Sequence, residues 1–467
     1  MKNNYIYLLF AFVILSTTAC KEYLDITPKG YVIPSKIEDF ERILNDGSIF
    51  RFLATDIDFL SDDYYARTID PANYSENVQS RLYFWQKDIY ATQEEIAASF
   101  WAKLYGNIYQ FNAIINNVEH SAGATPSRAA KTKAQAQFGR ALAYWYLVNI
   151  YSKPYNTVTA GTDLGVPLVL SNDITQELPA RGTVQGTYDF IIKDLTESLG
   201  AVPESVANPY SISKSAVYGF LARTYLMMGK YDLAAKAAGD VLSFNKQLID
   251  YNGVYTEKVS TTGVPYIGVK PGVTVFTDHI KAPENIFSLL YTYTAGMYNQ
   301  SIAKATEQLY DADDLRRVFF KPVVETGKPW NGIYTYMDQF IYVNPGISTA
   351  EMYLVRAESR ARTKDLPGAM QDINTLRKSR IKADKFTEVT AASETDAVKL
   401  ILLERRKELL FKGARWFDMR RLNNDPQYGF TAYHYFIDGT KVALEPNSPS
   451  YTLNLPESAL ATHILQN

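Results

Sequence analysis

The sequence predicts a mainly α-helical protein, a scaffold of tetratricopeptide-like helical pairs carrying long irregular insertions suited to ligand binding. Three observations predict it. Apolar residues recur at spacings of three and four along several stretches, the period of a helix with one buried face. Two such stretches, 213–242 and 349–379, break at a short turn flanked by small residues, as paired helices do. Between them, from about 244 to 347, the helical period fails, and glycine, proline and aromatic residues crowd together.

In chain order, Lys2 precedes an apolar run, Ile6 to Leu15, that is too short to cross a bilayer. Small residues then lead to Cys20 in Leu15-Ser16-Thr17-Thr18-Ala19-Cys20. A positive start, a short apolar core and small residues make an export signal. With a cysteine directly after it, the segment resembles a bacterial lipoprotein signal, in which residues 1–19 are removed and Cys20 becomes the acylated first residue. Thr17 stands where such signals usually carry Leu, which leaves an ordinary secretory signal as the alternative.

The helices follow. Residues 95–118 place Ile96, Phe100, Leu104, Ile108, Phe111 and Ile115 on one stripe. The next helix, 127–151, opens at Ser127 as N-cap, carries Phe138, Leu142, Trp145, Val148 and Tyr151, and stops before Pro154. A third, 184–199, carries Tyr188, Ile191, Ile192, Leu195 and Leu199. In 213–242, Ala216, Phe220, Ala222 and Tyr225 lead to Gly229-Lys230-Tyr231, and Ala234, Ala235 and Ala238 continue a second helix. Small residues let paired helices approach closely, and Gly229 can take the left-handed conformation that ends the first. The pattern resembles a tetratricopeptide repeat, with a second copy at 349–379 turning at Asp365-Leu366-Pro367-Gly368.

Composition bounds the chemistry. Cys20 is the only cysteine in 467 residues, so once it is lipidated the body has no disulfide, thiolate metal site or cysteine nucleophile. The four histidines, His120, His279, His434 and His463, are scattered, which argues against a His-based metal centre. A net charge of −2 gives no reason to expect a nucleic-acid partner. The positive clue is the 35 tyrosines, since tyrosine joins flat apolar area to a polar tip. Many lie in the irregular stretch 244–347, and another irregular stretch, 56–91, carries Asp62-Asp63-Tyr64-Tyr65 and Tyr83-Phe84-Trp85. Should the fold bring these stretches together, they would make one surface.

Near the C-terminus, Glu404-Arg405-Arg406-Lys407-Glu408-Leu409-Leu410-Phe411-Lys412-Gly413-Ala414-Arg415-Trp416-Phe417-Asp418-Met419-Arg420-Arg421 is similar to the signature of the SusD/RagB family, surface nutrient-binding lipoproteins of Bacteroidetes. Cys20-Lys21-Glu22-Tyr23-Leu24-Asp25-Ile26-Thr27-Pro28 resembles that family's mature start. Arg140 to Val148, Gly165-Val166-Pro167-Leu168, the Tyr188–Leu195 helix, the Glu351–Arg380 hairpin and the terminal Gln466-Asn467 agree in order. The resemblance covers nearly the whole mature chain and is weakest at 244–347.

It implies a single domain over 20–467, with a helical scaffold at about 95–243 and 348–421 and irregular excursions at 56–91 and 244–347. It also implies a lipid-anchored outer-membrane protein, displayed on the cell surface, that passes a glycan or peptide nutrient to a SusC-type TonB-dependent transporter, with no cofactor, metal or catalytic residue. A sugar ring has an apolar C–H face and a hydroxyl rim, so aromatic rings and polar side chains together can hold it. On that chemistry the candidates are Tyr65, Tyr83, Trp85, Tyr293, Tyr298, Trp330 and Tyr334, with Asn331 and Asp338 as polar partners. Trp101, Trp145 and Trp416 lie in helical motifs and read as structural, as does the charged run at 404–421. Asp311-Ala312-Asp313-Asp314 reads as a helix start pairing with Arg316 and Arg317, because Arg316 occupies the glycine position of a calcium loop. Two rival classes stay open: a glycoside hydrolase, which needs only two placed carboxylates, and a pure assembly module.

Overall fold

A computed structural model describes residues 34–50, 55–67, 69–73, 75–173, 175–261, 263–289, 300–323, 331–336, 344–460 and 464–466. The scaffold helices are α1 (Phe100–Asn117), α2 (Pro126–Tyr151), α3 (Val184–Ser198), α4 (Lys214–Met227), α5 (Tyr231–Phe244), α6 (Thr349–Arg362), α7 (Leu366–Lys378), α8 (Glu394–Glu408) and α9 (Arg415–Leu422). Local chemistry sets their ends. The helix expected over 95–118 is broken: Ser99 accepts a hydrogen bond from the Ala102 amide at 3.2 Å and starts α1, while Gln93–Ala97 forms a separate short helix. Thr125, not Ser127, caps α2, and Pro126 takes the first turn, where its missing N–H costs nothing. Gly229, at φ +68°, turns the chain between α4 and α5 as expected.

The helices stack in succession, α1 on α2, α2 on α3, α4 on α5, then α5 on α6 and α6 on α7 and α8. The two tetratricopeptide-like pairs therefore meet directly, and the long stretch between them loops out of the stack. Contacts are close. A Cβ on Gly139 would fall 2.3 Å from the Phe111 ring, and one on Gly219 would fall 2.4 Å from Ile347. These glycines set how near α2 approaches α1 and how near α4 approaches the strand at Ile347.

The stretch that looped out is built on short strands. Those used below are β1 (Tyr64–Ala66), β2 (Tyr255–Val259), β3 (Pro265–Val269), β4 (Gln300–Ile302), β5 (Phe320–Pro322), β6 (Tyr334–Tyr336), β7 (Ala432–Tyr435) and β8 (Lys441–Leu444). β2 and β3 form a hairpin, as do β7 and β8. A four-stranded antiparallel sheet runs in the order β1-β4-β6-β5, with Tyr65 opposite Ser301, Ser301 opposite Thr335 and Thr335 opposite Lys321. The two irregular stretches of the sequence thus join as neighbouring strands.

The charged C-terminal run fixes that junction to the scaffold. α8 ends at Glu408, earlier than the glycine at 413 suggests, and the chain turns through Phe411 at φ +54° and Gly413 at φ +68°. Arg406 reaches Asp63 at 2.7 Å and Arg415 reaches Asp62 at 2.6 Å, so the acids before β1 are anchors. Burial pushes the Asp62 carboxyl up, but Arg406 and Arg415 outweigh it and hold it below the usual carboxylate range. Arg405 pairs with Asp418 at 2.8 Å, and Arg421 bridges Glu358 at 2.6 Å. Asp314 caps a short 3₁₀ turn and pairs with Arg316 at 2.7 Å, as the acid–arginine reading expected, whereas Arg317 turns to Glu307. Burial raises the Asp314 carboxyl, yet Arg316 and Lys407 bring it down to about 2.

A surface and cleft built by the looped-out strands

Strand alternation decides what the small sheet presents. Tyr64, Ala66, Phe320, Tyr334 and Tyr336 are buried on one face, and the row on the other is Tyr65, Ser301, Thr335 and Lys321, of which Ser301 is buried as well, Tyr65 and Thr335 are half-buried and Lys321 is exposed. Tyr65 is half-buried, and burial pushes its phenol up. The segments 290–299, 324–330 and 337–343 begin or end at β4, β5 and β6, and lie outside the described residues. They hold Tyr293, Tyr298, Trp330 and Asp338. Cys20 lies outside the described residues as well.

Beside the sheet, the β2–β3 hairpin stands over the β5 edge and encloses a cleft of about 600 Å³. Tyr266, Ile267, Phe320 and Tyr334 give it flat apolar walls, and Glu257, Lys258 and Arg317 give it charge. Arg317 is held in place: it donates to Glu307 at 3.0 Å and to the Tyr310 carbonyl at 3.1 Å. Its guanidinium lies 5.6 Å from the Phe320 ring centre and 5.5 Å from that of Tyr334. Asn331, exposed, sits in the turn before β6, its side-chain oxygen accepting from the Ile333 amide at 3.3 Å. Phe320 and Tyr334 are buried beneath Arg317 at the base, so the ring open to a ligand is the half-buried Tyr266. With Glu257, Lys258 and Arg317 around it, the cleft suits a polyhydroxylated ligand whose C–H face stacks on that ring and whose hydroxyls pair. Among the described residues, no three His, Cys, Asp or Glu side chains converge as a metal site would require.

Two expected site residues go elsewhere. Tyr83 and Trp85 are buried, at 0% and 3% exposure, and sandwich His434, with ring centres 4.0 and 3.9 Å away. Their polar tips are used internally. Tyr83 donates to the Tyr435 carbonyl at 2.8 Å and accepts from the Ala66 amide at 3.2 Å, and Trp85 donates to the Leu60 carbonyl at 2.9 Å. Rings covered on their faces and paired at their tips have nothing to offer a ligand, so both are structural. Trp101, Trp145 and Trp416 are buried as expected.

Sequence reasoning missed the cleft residues Glu257, Lys258, Tyr266 and Arg317. A usable signal was present: Tyr255–Val259 and Pro265–Val269 flank a short loop with Gly263 at φ +85°, the layout of a hairpin.

Comparison with known proteins agrees with this architecture. Residues 22–226 match a SusD-like family described as "Starch-binding associating with outer membrane", and residues 345–452 match the SusD/RagB family. SusD-like protein P2 of Formosa agariphila is 23% identical over 419 residues, covering 76% of this chain and 81% of that protein. SusD-like protein P25 of the same organism is 28% identical over 159 residues, and the chain spans only 29% of its length. A SusD superfamily protein of Bacteroides vulgatus superposes with a TM-score of 0.73 at 20% identity, over 93% of this chain and 99% of that one. A laminarin-binding SusD-like protein superposes with a TM-score of 0.62 at 15% identity, over 93% and 99%.

Proposed function

The chain belongs to the SusD/RagB family, and from that premise we propose that it is a cell-surface lipoprotein that captures an oligosaccharide nutrient and delivers it to a SusC-type TonB-dependent transporter. The family is one of carbohydrate-binding proteins associated with the outer membrane. Lipid on Cys20 supplies the anchor in this reading. The observation that carries it is the meeting of β1 with β4, which sets Tyr65 on the same sheet from which the stretches holding Tyr293, Tyr298, Trp330 and Asp338 depart. Asn331 is exposed in the turn before β6, and Tyr334, on the opposite face of the sheet from Tyr65, walls the neighbouring cleft with Tyr266 and Arg317.

Binding rests on stacking and hydrogen bonding, and no bond in the ligand is broken. Each stacked ring contributes about 0.5–1.5 kcal/mol beyond area burial. An arc of two or three gives modest affinity, which a repeating polysaccharide raises by engaging many copies at once. A laminarin-binding relative of the same fold supports a glycan as the ligand.

The test is affinity electrophoresis of protein beginning at Lys21 against a panel of polysaccharides, with peptide mixtures run by calorimetry. Retardation by one glycan, lost in Trp330→Ala and Tyr65→Ala, supports the proposal. Peptide binding with no glycan retained would move the chain to peptide uptake, and release of shortened sugars by the purified protein would make it an enzyme.

A further inference from the structure

A cavity larger than the cleft lies away from the small sheet. It is a groove of about 780 Å³ along α1, walled by Trp101, Tyr105 and Tyr109 on one side and by Leu170 and Leu178 on the other. Tyr109, Leu170 and Leu178 are 45%, 48% and 46% exposed. Asp173 and Glu177 stand in the same wall as the leucines. Three large side chains left half in water within one groove form an apolar patch of the kind that is normally covered. Pro167, Leu168, Leu170, Leu178 and Pro179 give the groove a continuous apolar wall that an apolar peptide segment can bury, and the polar groups beside it, Asn116, Asp173 and Glu177 among them, can meet that segment's backbone and charges.

The chain itself supplies such a segment close by. The first described residues enter beside the C-terminal end of α1: the Ala122 amide donates to the Ser35 carbonyl at 2.9 Å, and the Ile37 amide donates to the Ala122 carbonyl at 3.0 Å. Asn116, also in the groove wall, lies six positions before Ala122, so one end of the groove is near the point of entry along the chain. Upstream stand Lys21-Glu22-Tyr23-Leu24-Asp25-Ile26-Thr27-Pro28-Lys29-Gly30-Tyr31-Val32-Ile33. Leu24 and Ile26 alternate with Asp25, so in an extended chain they share a face. Lys21 and Lys29 complement the acids Asp173 and Glu177. The reach is ample: these thirteen residues extend to about 43 Å at about 3.3 Å each, and the helix wall from Trp101 to Asn116 is about 22 Å long at about 1.5 Å per residue.

We propose that residues 21–33 of the mature chain dock in this groove, with Leu24 and Ile26 covering Tyr109, Leu170 and Leu178. The segment then runs from the Asn116 end toward Trp101, and Cys20 leaves the body at a fixed place. The lipid anchor is thereby tied to one end of α1 instead of swinging on a free tether, which fixes the face the protein turns to the membrane. This inference does not depend on what the small sheet binds.

The experiment compares protein beginning at Lys21 with protein beginning at Pro34, and adds a photo-crosslinking residue at position 24 or 26 of the longer form. The account expects crosslinks to peptides containing Tyr109, Leu170 or Leu178. It also expects an apolar dye to fluoresce more strongly with the shorter protein, and the 21–33 peptide added in trans to reverse that rise. Leu24→Asp/Ile26→Asp in the longer protein should mimic the truncation while leaving the unfolding midpoint of the body close to that of the shorter form. Crosslinks confined to other surfaces, or a dye signal that is the same in both lengths, would overturn the proposal and leave the groove to another molecule.

Discussion

Replacing Arg380 with Met removes one charge and nearly no volume, and it tests how the looped-out strands are held to the scaffold. Arg380 is fully buried, and its guanidinium donates to Glu408 at 2.9 Å through two nitrogens, to Glu284 at 2.7 Å and to the Ile249 carbonyl at 2.7 Å. It also lies 4.3 Å from the centre of the Tyr251 ring. Helix α8, the start of the looped-out stretch and a residue within it thus converge on one side chain. In Arg380→Met, Glu408 keeps only the more distant Arg316 at 3.5 Å and Lys412 at 3.9 Å. Breaking a buried pair in this way costs about 3–5 kcal/mol, because the carboxylate stays out of water without its partner. The loss has a pH signature. Burial raises the Glu408 carboxyl, but Arg380 and Lys412 outweigh it and hold it below its usual range. That stabilisation is therefore present above the unfolded value of about 4.3 and fades as pH falls through the lower folded value. Urea unfolding at pH 7 should show the full loss, and the gap between wild type and variant should narrow toward pH 3. A gap below about 1 kcal/mol at pH 7, or one that widens on acidification, would refute the reasoning.

Acid should unfold the wild type through the same kind of group. The carboxyls of Asp62, Glu358 and Asp418 are held below their usual range by arginines that outweigh burial, and Asp314 is brought to about 2, so urea midpoints should hold from pH 7 to about 4.5 and fall steeply between about 4 and 2. Gly139→Ala gains about 1 kcal/mol of helix propensity. Its Cβ, however, would lie 2.3 Å from the Phe111 ring, and overpacking of about 1–3 kcal/mol should make the variant less stable by thermal melting. Tyr266→Ala should weaken the retained glycan about two- to twelvefold, the equivalent of one ring, measured by calorimetry, with the melting temperature nearly unchanged. Trp85→Phe, by contrast, should lower stability through the lost hydrogen bond to Leu60 and leave glycan affinity as it was.

Much of the scaffold was legible because helices are written locally. Stripes at three and four, a proline in a first turn and a glycine at a helix end are all short-range signals, and the pairs at 214–244 and 349–378 follow them. Caps were harder. Thr125 and Ser127 are both good N-caps, and only the Arg128 amide bonded to Thr125 separates them. The site was partly legible. Composition pointed to the stretches at 56–91 and 244–347, but β1 and β4 pair across more than two hundred residues of sequence, and nothing local encodes such a partner. The same gap misplaced Tyr83 and Trp85. An aromatic run in an irregular stretch reads alike whether it faces water or closes on a histidine, and His434 stands far along the chain. Asp62 and Asp63 stand in the same stretch, and their partners Arg415 and Arg406 lie more than three hundred residues along the chain.

Hydrogen–deuterium exchange of the mature protein, with and without a saturating amount of the glycan it retains, tests the central claim most directly. The account predicts slowed exchange on binding at 64–66, 255–269, 300–302 and 320–336, with α1 and the 167–179 wall of its groove unchanged. Protection confined to α1 and that wall, with the small sheet and its hairpin exchanging as before, would contradict it.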